Sequence, residues 1–278
     1  MRESLNALSV EMDDWPPLQA GWVWLVGAGP GDPGLMTLHG VNALRQADVV
    51  VYDSLVDKRI LEWARADAEL VHAGKRGGRP SPKQRDISLT LIDLAKAGRR
   101  VVRLKGGDPF LFGRGGEEAQ TLVEHGVPFR VVPGITAGIG GLAYAGVPAT
   151  HRDYNQTLTF VTGHDQTGEA PNVDWAALAK GSQVIVIYMG MRHIGKIAAA
   201  LIDGGRDPRE PVLIVREATT PSQFTLETTL AEAEQAIEEN GVIAPAVICV
   251  GRSVELRAAL RWLEDGEGGA PPSDVEAS

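Results

Sequence analysis

Residues 101–126 read VVRLKGGDPFLFGRGGEEAQTLVEHG. The apolar opening is a strand. The closing part, EEAQTLVEHG, has helical spacing and stops on a glycine, the usual terminator of a helix. Between them, Arg103 to Ala119 carries five glycines, an aspartate, a proline, two phenylalanines and, past the strand, Arg114. Glycine loses more conformational freedom on ordering than any other residue. So dense a run at the end of a strand implies a tight turn, or a ligand approached closely by bare main chain.

The same unit recurs on both sides of this stretch. Upstream come the strand VWLVGAG, the helix TLHGVNALRQA, the strand DVVVYD, the helix DKRILEWARA, the strand AELVHAG and the amphipathic helix RDISLTLIDLAKAG, closed by Gly98. Downstream comes the strand PFRVVPG. Repeated strand–helix units predict a mostly parallel sheet covered on both faces. After Thr150 the pattern restarts and is more mixed. TLTFVTGH, QVIVIYMG, PVLIVREAT and PAVICVG read as strands and QFTLETTL as a hairpin strand, while RHIGKIAAALIDGG, AEAEQAIEENG and VELRAALRWLE read as helices. The expectation is an α/β protein with a domain over 20–135 and a second over 136–264. They are flanked by a flexible arm (1–19) and a disordered tail (265–278).

The totals bound the function. The chain has 278 residues and a net charge of −9, which argues against binding nucleic acid over a broad face. Its one cysteine, Cys249, sits inside AVICVG and reads as a buried strand thiol, which makes the cytosol the natural compartment. The acidic start is not a signal peptide. Residues 131–150 are charge-free and long enough for a membrane span, but hold five glycines and two prolines. They read as a strand end followed by a small-residue helix packed inside a soluble protein. The six histidines show no i,i+3 or i,i+4 pairing, so no metal site is expected.

In an open α/β sheet, ligands bind beyond the carboxyl ends of the strands. The predicted strands of the first half are followed there by GAGPGDPG, Asp53, GKRGGRP, KGGDPFLFGRGG and PGIT, so the unusual residues share one edge. The first loop is not a dinucleotide fingerprint. After Gly27 and Gly29 the third glycine falls on Asp32, and Pro30 and Pro33 delay the helix to about Thr37. Asp53 reads either as a site acid or as a turn acid at the next helix. The loop 74–85 has five basic residues and no acid, and suits either solvent or a polyanion. Arg114 offers a fork for a carboxylate. Glu118 reads as a complement to the helix dipole, and Glu117 is left open.

Nine segments in register, VGAGPGDPGLMTL, ADVVVYD, GKR, VVRLKGGDPFLFGRGGEE, VVPGITAG, AYAGVPATHRD, TFVTGH, YMG and PAVICVGRSV, resemble the uroporphyrinogen-III C-methyltransferases of the tetrapyrrole methylase family. The resemblance runs from about Trp22 to Trp262. It implies the tetrapyrrole-methylase fold, two α/β domains with an active-site cleft between them, usually paired as a homodimer. It implies S-adenosyl-L-methionine as methyl donor, S-adenosylhomocysteine as product, no metal, and a polyanionic tetrapyrrole as substrate.

Carried over by position, the donor site takes Pro30, Gly106, Gly107, Asp108, Leu111, Thr136, Ala137, Met189 and Ala218. The general base and proton donor fall on Asp53 and Lys75, and the substrate cleft takes Arg114, Glu117 and Arg152. Ala137 replaces a common serine and Ala218 a common glycine. The chain shows no counterpart of the dehydrogenase–ferrochelatase part of siroheme synthases, so methylation alone is expected. The rival readings are a later-acting corrin-pathway methyltransferase, an NAD-dependent oxidoreductase and a non-catalytic donor-binding sensor.

Overall fold

The structure, a computed structural model, describes residues 15–73, 84–164 and 171–263. Five strands form a first sheet: β1 (Val23–Gly27), β2 (Val49–Tyr52), β3 (Glu69–His72), β4 (Val101–Lys105) and β5 (Phe129–Val132). All pair in parallel, in the order β3-β2-β4-β1-β5. The helices between them are α1 (Leu38–Gln46), α2 (Lys58–Leu61), α3 (Gln84–Lys96) and α4 (Gly115–Glu124).

Alternation of side chains along the strands splits the core into two layers. Trp24, Val26, Val50, Val102 and Leu104 pack under Ala43, Leu44 and Ala47 around α1. Val23, Leu25, Val49, Val51 and Val101 pack under Leu91, Ile92 and Ala95 of α3 and Ala119 and Leu122 of α4. The doubly covered parallel sheet is thus present. Ahead of it, Leu18 is buried and its N–H donates to Gln46 Oε1 at 3.0 Å, while the Trp15 ring packs, tilted, against His39. Residues 15–19 therefore lie against α1.

The second sheet holds β6 (Leu158–Thr162), β7 (Val184–Tyr188), β8 (Pro211–Arg216), β9 (Phe224–Thr229) and β10 (Ala246–Val250). Its order is β6-β7-β10-β8-β9. Only β6 and β7 are parallel; β10 runs antiparallel to both its neighbours, and β8 and β9 form the hairpin read from the sequence. Its helices are α5 (Ala137–Tyr144), α6 (Trp175–Gly181), α7 (Ile194–Asp203), α8 (Ala233–Glu239) and α9 (Arg257–Leu260).

The glycine-rich window gives α5, which lies on the second sheet with Leu142 fully buried among Val186, Leu213, Val215 and Val247. Among the described residues no helix is long and apolar enough to cross a membrane. Cys249 is buried in the same layer, and burial pushes its thiol up to about 12, so it is an inert packing group.

Two helices are shorter than the sequence pattern predicts. DKRILEWARA forms a single turn, α2, capped by Asp57. Arg65 is spent on Asp67 (Nε–Oδ1 3.0 Å) and Asp48 (Nη1–Oδ1 3.1 Å), which hold a turn toward β3. VELRAALRWLE forms a 3-10 turn (Arg252–Leu256) and then α9. Helix α6, which the pattern did not predict, is opened by Asp174, whose Oδ1 accepts from Ala177 N at 2.9 Å.

Asp48 also staples the start of β2 to the start of β4, accepting from Arg100 Nη2 at 2.6 Å and from Arg100 N at 2.9 Å. These donors hold its carboxyl down at about 2. A depressed carboxylate stabilises the fold above its unfolded value, near 3.8, and loses that contribution as pH falls through the folded one. The stability gap between the protein and Asp48→Asn should be full at pH 5 and close toward pH 2. Urea melts across that range measure it.

Candidate active site

Three strand-end loops of the first sheet meet through their main chains. Ala28 N donates to Lys105 O at 2.7 Å, and Gly29 and Gly107 exchange two hydrogen bonds of 3.2 and 2.7 Å. A Cβ placed on Gly134 would lie 2.2 Å from Gly107 O and 2.8 Å from Gly27 Cα, so the β1, β4 and β5 loops touch backbone to backbone. Gly107 adopts φ +66°, which a side chain would resist. Asp108 fastens the junction. Its Oδ2 accepts from Gly134 N at 3.0 Å and its Oδ1 from Phe110 N at 2.8 Å.

The second sheet closes on this junction. Tyr188, the last residue of β7, is hydrogen-bonded to Thr136 Oγ1 at 2.6 Å and accepts from Gly138 N at 2.7 Å. Burial raises its phenol above the usual range, so it is a neutral hydrogen-bonding group. Leu111, Ala137 and Phe160 pack against the layer that holds Tyr188 and Ala218. A Cβ on Gly140 would lie 2.8 Å from Pro30 Cγ.

On the β1 side, Asp32 N donates to Thr219 Oγ1 at 2.9 Å, and Tyr144 OH donates to Asp32 Oδ2 at 2.6 Å. Burial and that carboxylate push Tyr144 up to about 12. Met189 follows Tyr188 and is 40% exposed. Gly106 lies under Leu55, where a Cβ would come within 3.0 Å of the leucine Cβ.

Backbone strain gathers at the same place. Phe112, Arg114, Met189, Glu217 and Thr219 all have φ between 48° and 65°. Among the described residues these are the only non-glycine positions in the left-handed region, and all lie in the segments that follow β4, β7 and β8. Such conformations cost on the order of 1–3 kcal/mol each and cluster where function imposes them.

Below the loops is a charge cluster. Asp53, just past β2, takes Arg103 Nη2 on Oδ1 at 2.5 Å. Arg103 Nε donates to Glu118 Oε1 at 3.0 Å, and Lys105 Nζ donates to the same oxygen at 3.2 Å. Lys105 Nζ stands 3.7 Å from Asp53 Oδ2. Burial, and then the Arg103 charge, hold the Lys105 amine below its usual range. Glu118 is fully buried, so the dipole reading of this residue is replaced by an ion pair.

Arg114 has its fork filled: Nε donates to Glu117 Oε1 at 3.0 Å and Nη2 to Oε2 at 2.6 Å, with both side chains about half exposed. This pairing holds the Glu117 carboxyl below its usual range. Arg152 is exposed and makes no ion pair among the described residues. Lys75 lies outside the described residues.

The structure therefore gathers Pro30, Gly107, Asp108, Leu111, Thr136, Ala137 and Ala218 around one junction, and places Asp53 at the carboxyl end of the neighbouring strand β2. Sequence reading missed Asp32, Tyr144, Tyr188 and Thr219, whose roles appear only once the sheets meet. It also missed Arg103, Lys105 and Glu118. Their signal was two basic residues interrupting an apolar strand. A groove of about 610 Å³ lies at the opposite edge of the second sheet, where β7 and β8 begin. Its Arg206, Arg209 and Arg252 are already paired with Glu210, Asp207 and Glu255.

The profile of the tetrapyrrole (corrin/porphyrin) methylases matches residues 23–234. The chain belongs to the tetrapyrrole methylase family. A uroporphyrinogen-III C-methyltransferase of Sinorhizobium sp is 65% identical over 249 residues, 89% of each chain. A siroheme synthase of Chromobacterium violaceum is 49% identical over 91% of this chain, and the match spans 53% of that protein. The crystal structure of the uroporphyrin-III C-methyl transferase of Thermus thermophilus complexed with S-adenyl homocysteine superposes with a TM-score of 0.74. It is 42% identical and covers 84% of this chain and 99% of its own. The two-sheet fold thus matches those of solved methylases of this family.

Proposed function

We propose that the protein methylates uroporphyrinogen III at C2 and C7, using two molecules of S-adenosyl-L-methionine, to give precorrin-2 and two S-adenosylhomocysteines. The observation that carries this reading is the 65% identity to a uroporphyrinogen-III C-methyltransferase across 89% of both chains. The loop junction fits the donor. It offers main chain without side chains at Gly106 and Gly107, and the Thr136 turn, beside an apolar wall of Leu111, Ala137 and Ala218, the mix of lining that takes an adenosine group. Pro30, Asp108 and Met189 complete it; Asp108 acts by fixing the loops, since main-chain N–H groups occupy both its oxygens.

When bound, the donor supplies an electrophilic methyl group. The chain's part is to hold the pyrrole carbon in line with it; alignment of this kind lowers a barrier by on the order of 7–11 kcal/mol in good cases. Formation of the new carbon–carbon bond leaves positive charge on the macrocycle. Asp53 then accepts the displaced proton on Oδ2, the oxygen that Arg103 leaves free. Lys75 assists the return of a proton. Arg114, released from Glu117, and Arg152 receive substrate carboxylates.

The division into residues 20–135 and 136–264 belongs to the same proposal. So do a cytosolic location and pairing of two copies. The test is anaerobic incubation with uroporphyrinogen III and S-adenosyl-L-methionine, followed by mass analysis. A gain of two methyl groups is expected. Donor binding with no methylated product would overturn the assignment in favour of a sensor.

A further inference from the structure

The mechanism uses Asp53 and leaves three buried charges beside it without a task. Strand β4 sets Arg103 and Lys105 two residues apart, on one face. The first turn of α4 lays Glu118 over both. A buried ion cluster is a weak device for stability, because apolar side chains of similar volume usually do as well. What this cluster does do is fix one group.

Arg103 is 1% exposed and every guanidinium nitrogen is engaged. Nε goes to Glu118 (3.0 Å), Nη1 to the carbonyls of Val51 (3.3 Å) and Leu104 (3.4 Å), and Nη2 to Asp53 Oδ1 (2.5 Å). The guanidinium therefore cannot rotate away from Asp53. The other carboxylate oxygen, Oδ2, faces the Lys105 ammonium at 3.7 Å, too far for a hydrogen bond.

We propose that Arg103, Glu118 and Lys105 are positioning residues for proton removal. Arg103, braced by Glu118, pins Asp53 Oδ1 so that Oδ2 receives the proton, and the Lys105–Glu118 pair sets the local charge against which it does so. This rests on Asp53 being the base. In the step, the ring C–H bond breaks, its electron pair returns to the macrocycle, and an O–H bond forms at Oδ2. The depressed proton affinity of Lys105 agrees with this placement. The other charged groups facing the cluster are Arg114 and Glu117, paired with each other on α4. Both are left intact by the test.

The test is the pH dependence of kcat/KM for the tetrapyrrole in the unaltered protein, Glu118→Gln, Lys105→Met and the double variant. Titration of the substrate's own carboxylates is common to all four. Glu118→Gln leaves excess positive charge beside Asp53, so the acid limb should move down by about one pH unit. Lys105→Met does the opposite, and the limb should move up by about as much. The double variant should return close to the starting profile. S-adenosylhomocysteine binding and circular dichroism show which variants are folded.

An acid limb that stays put in folded variants, or moves the same way in both, overturns the proposal. If Glu118→Gln does not fold, the near-isosteric Lys105→Met decides alone, an unmoved limb overturning it. Asp53→Asn separates the two levels. Full turnover in that variant removes the base assignment itself. Lost turnover with immobile limbs in the others removes only the positioning role.

Discussion

Asp53→Asn should lose turnover by about 10²–10⁴-fold, the usual worth of a placed general base, while S-adenosylhomocysteine binding is retained. The substitution keeps size and shape, and the amide oxygen still accepts from Arg103. What disappears is the negative charge and the ability to take a proton. Donor binding is spared because the donor junction is built from the β1, β4 and β5 loops, whereas Asp53 follows β2. Removing this carboxylate leaves Arg103 and Lys105 sharing Glu118, so some loss of thermal stability accompanies the loss of rate. Single-turnover methylation, with calorimetric titration of S-adenosylhomocysteine, separates the two. Normal turnover would mean that the proton leaves by another route.

Gly134→Ala should cripple donor binding and lower the melting temperature. The added methyl would sit 2.2 Å from Gly107 O and 2.8 Å from Gly27 Cα. Both are main-chain atoms, so no side chain can swing aside, and at least two of the three loops must separate. Overpacking of this kind costs about 1–3 kcal/mol and occasionally more. The displaced atoms include the carbonyl that accepts from Gly29 and the amide held by Asp108, so the damage reaches the ligand-facing main chain directly. Gly116→Ala is the matched control. Gly116 lies inside α4 with nothing within 4 Å of its added Cβ, and alanine there should stabilise by about 0.5–1 kcal/mol. Thermal melts and calorimetry on the pair test the contrast. Equal behaviour would mean that the loop junction is looser than its contacts imply.

The contrast between these two glycines also shows what a sequence reader can reach. Strand–helix alternation gave the first sheet because each strand is a short apolar run and each helix repeats at 3.6 residues, a local signal that the packing then obeys. Gly107 was legible as a cost without a cause; the cause is a contact with Gly134, in a loop about 27 residues further on. Glu118 was misread for a related reason. At the start of a helix an acid satisfies the dipole whether or not it is buried, and only the strand beneath reveals the two cations it faces. The shortened helix after Lys58 was hidden because Arg65 has good helix propensity, and the acids that claim it, Asp48 and Asp67, lie outside the helix that the pattern suggests. Tyr188 carried no warning at all. It ends an apolar strand, and its hydroxyl matters because another sheet arrives there.

The five left-handed residues bear on how this protein could be engineered. Glycine at Glu217 would relax a conformation that side chains resist, by roughly 1–2 kcal/mol less the entropy glycine adds to the unfolded chain, whereas at Thr219 it would also remove the acceptor of Asp32 N and at Phe112 a ring contact with Tyr188. Selection for heat resistance would weigh such trades at these positions. Because they surround the donor junction, hardier variants drawn from them should be the slower catalysts, and a screen for durability would serve better if it left the rims of β4, β7 and β8 alone.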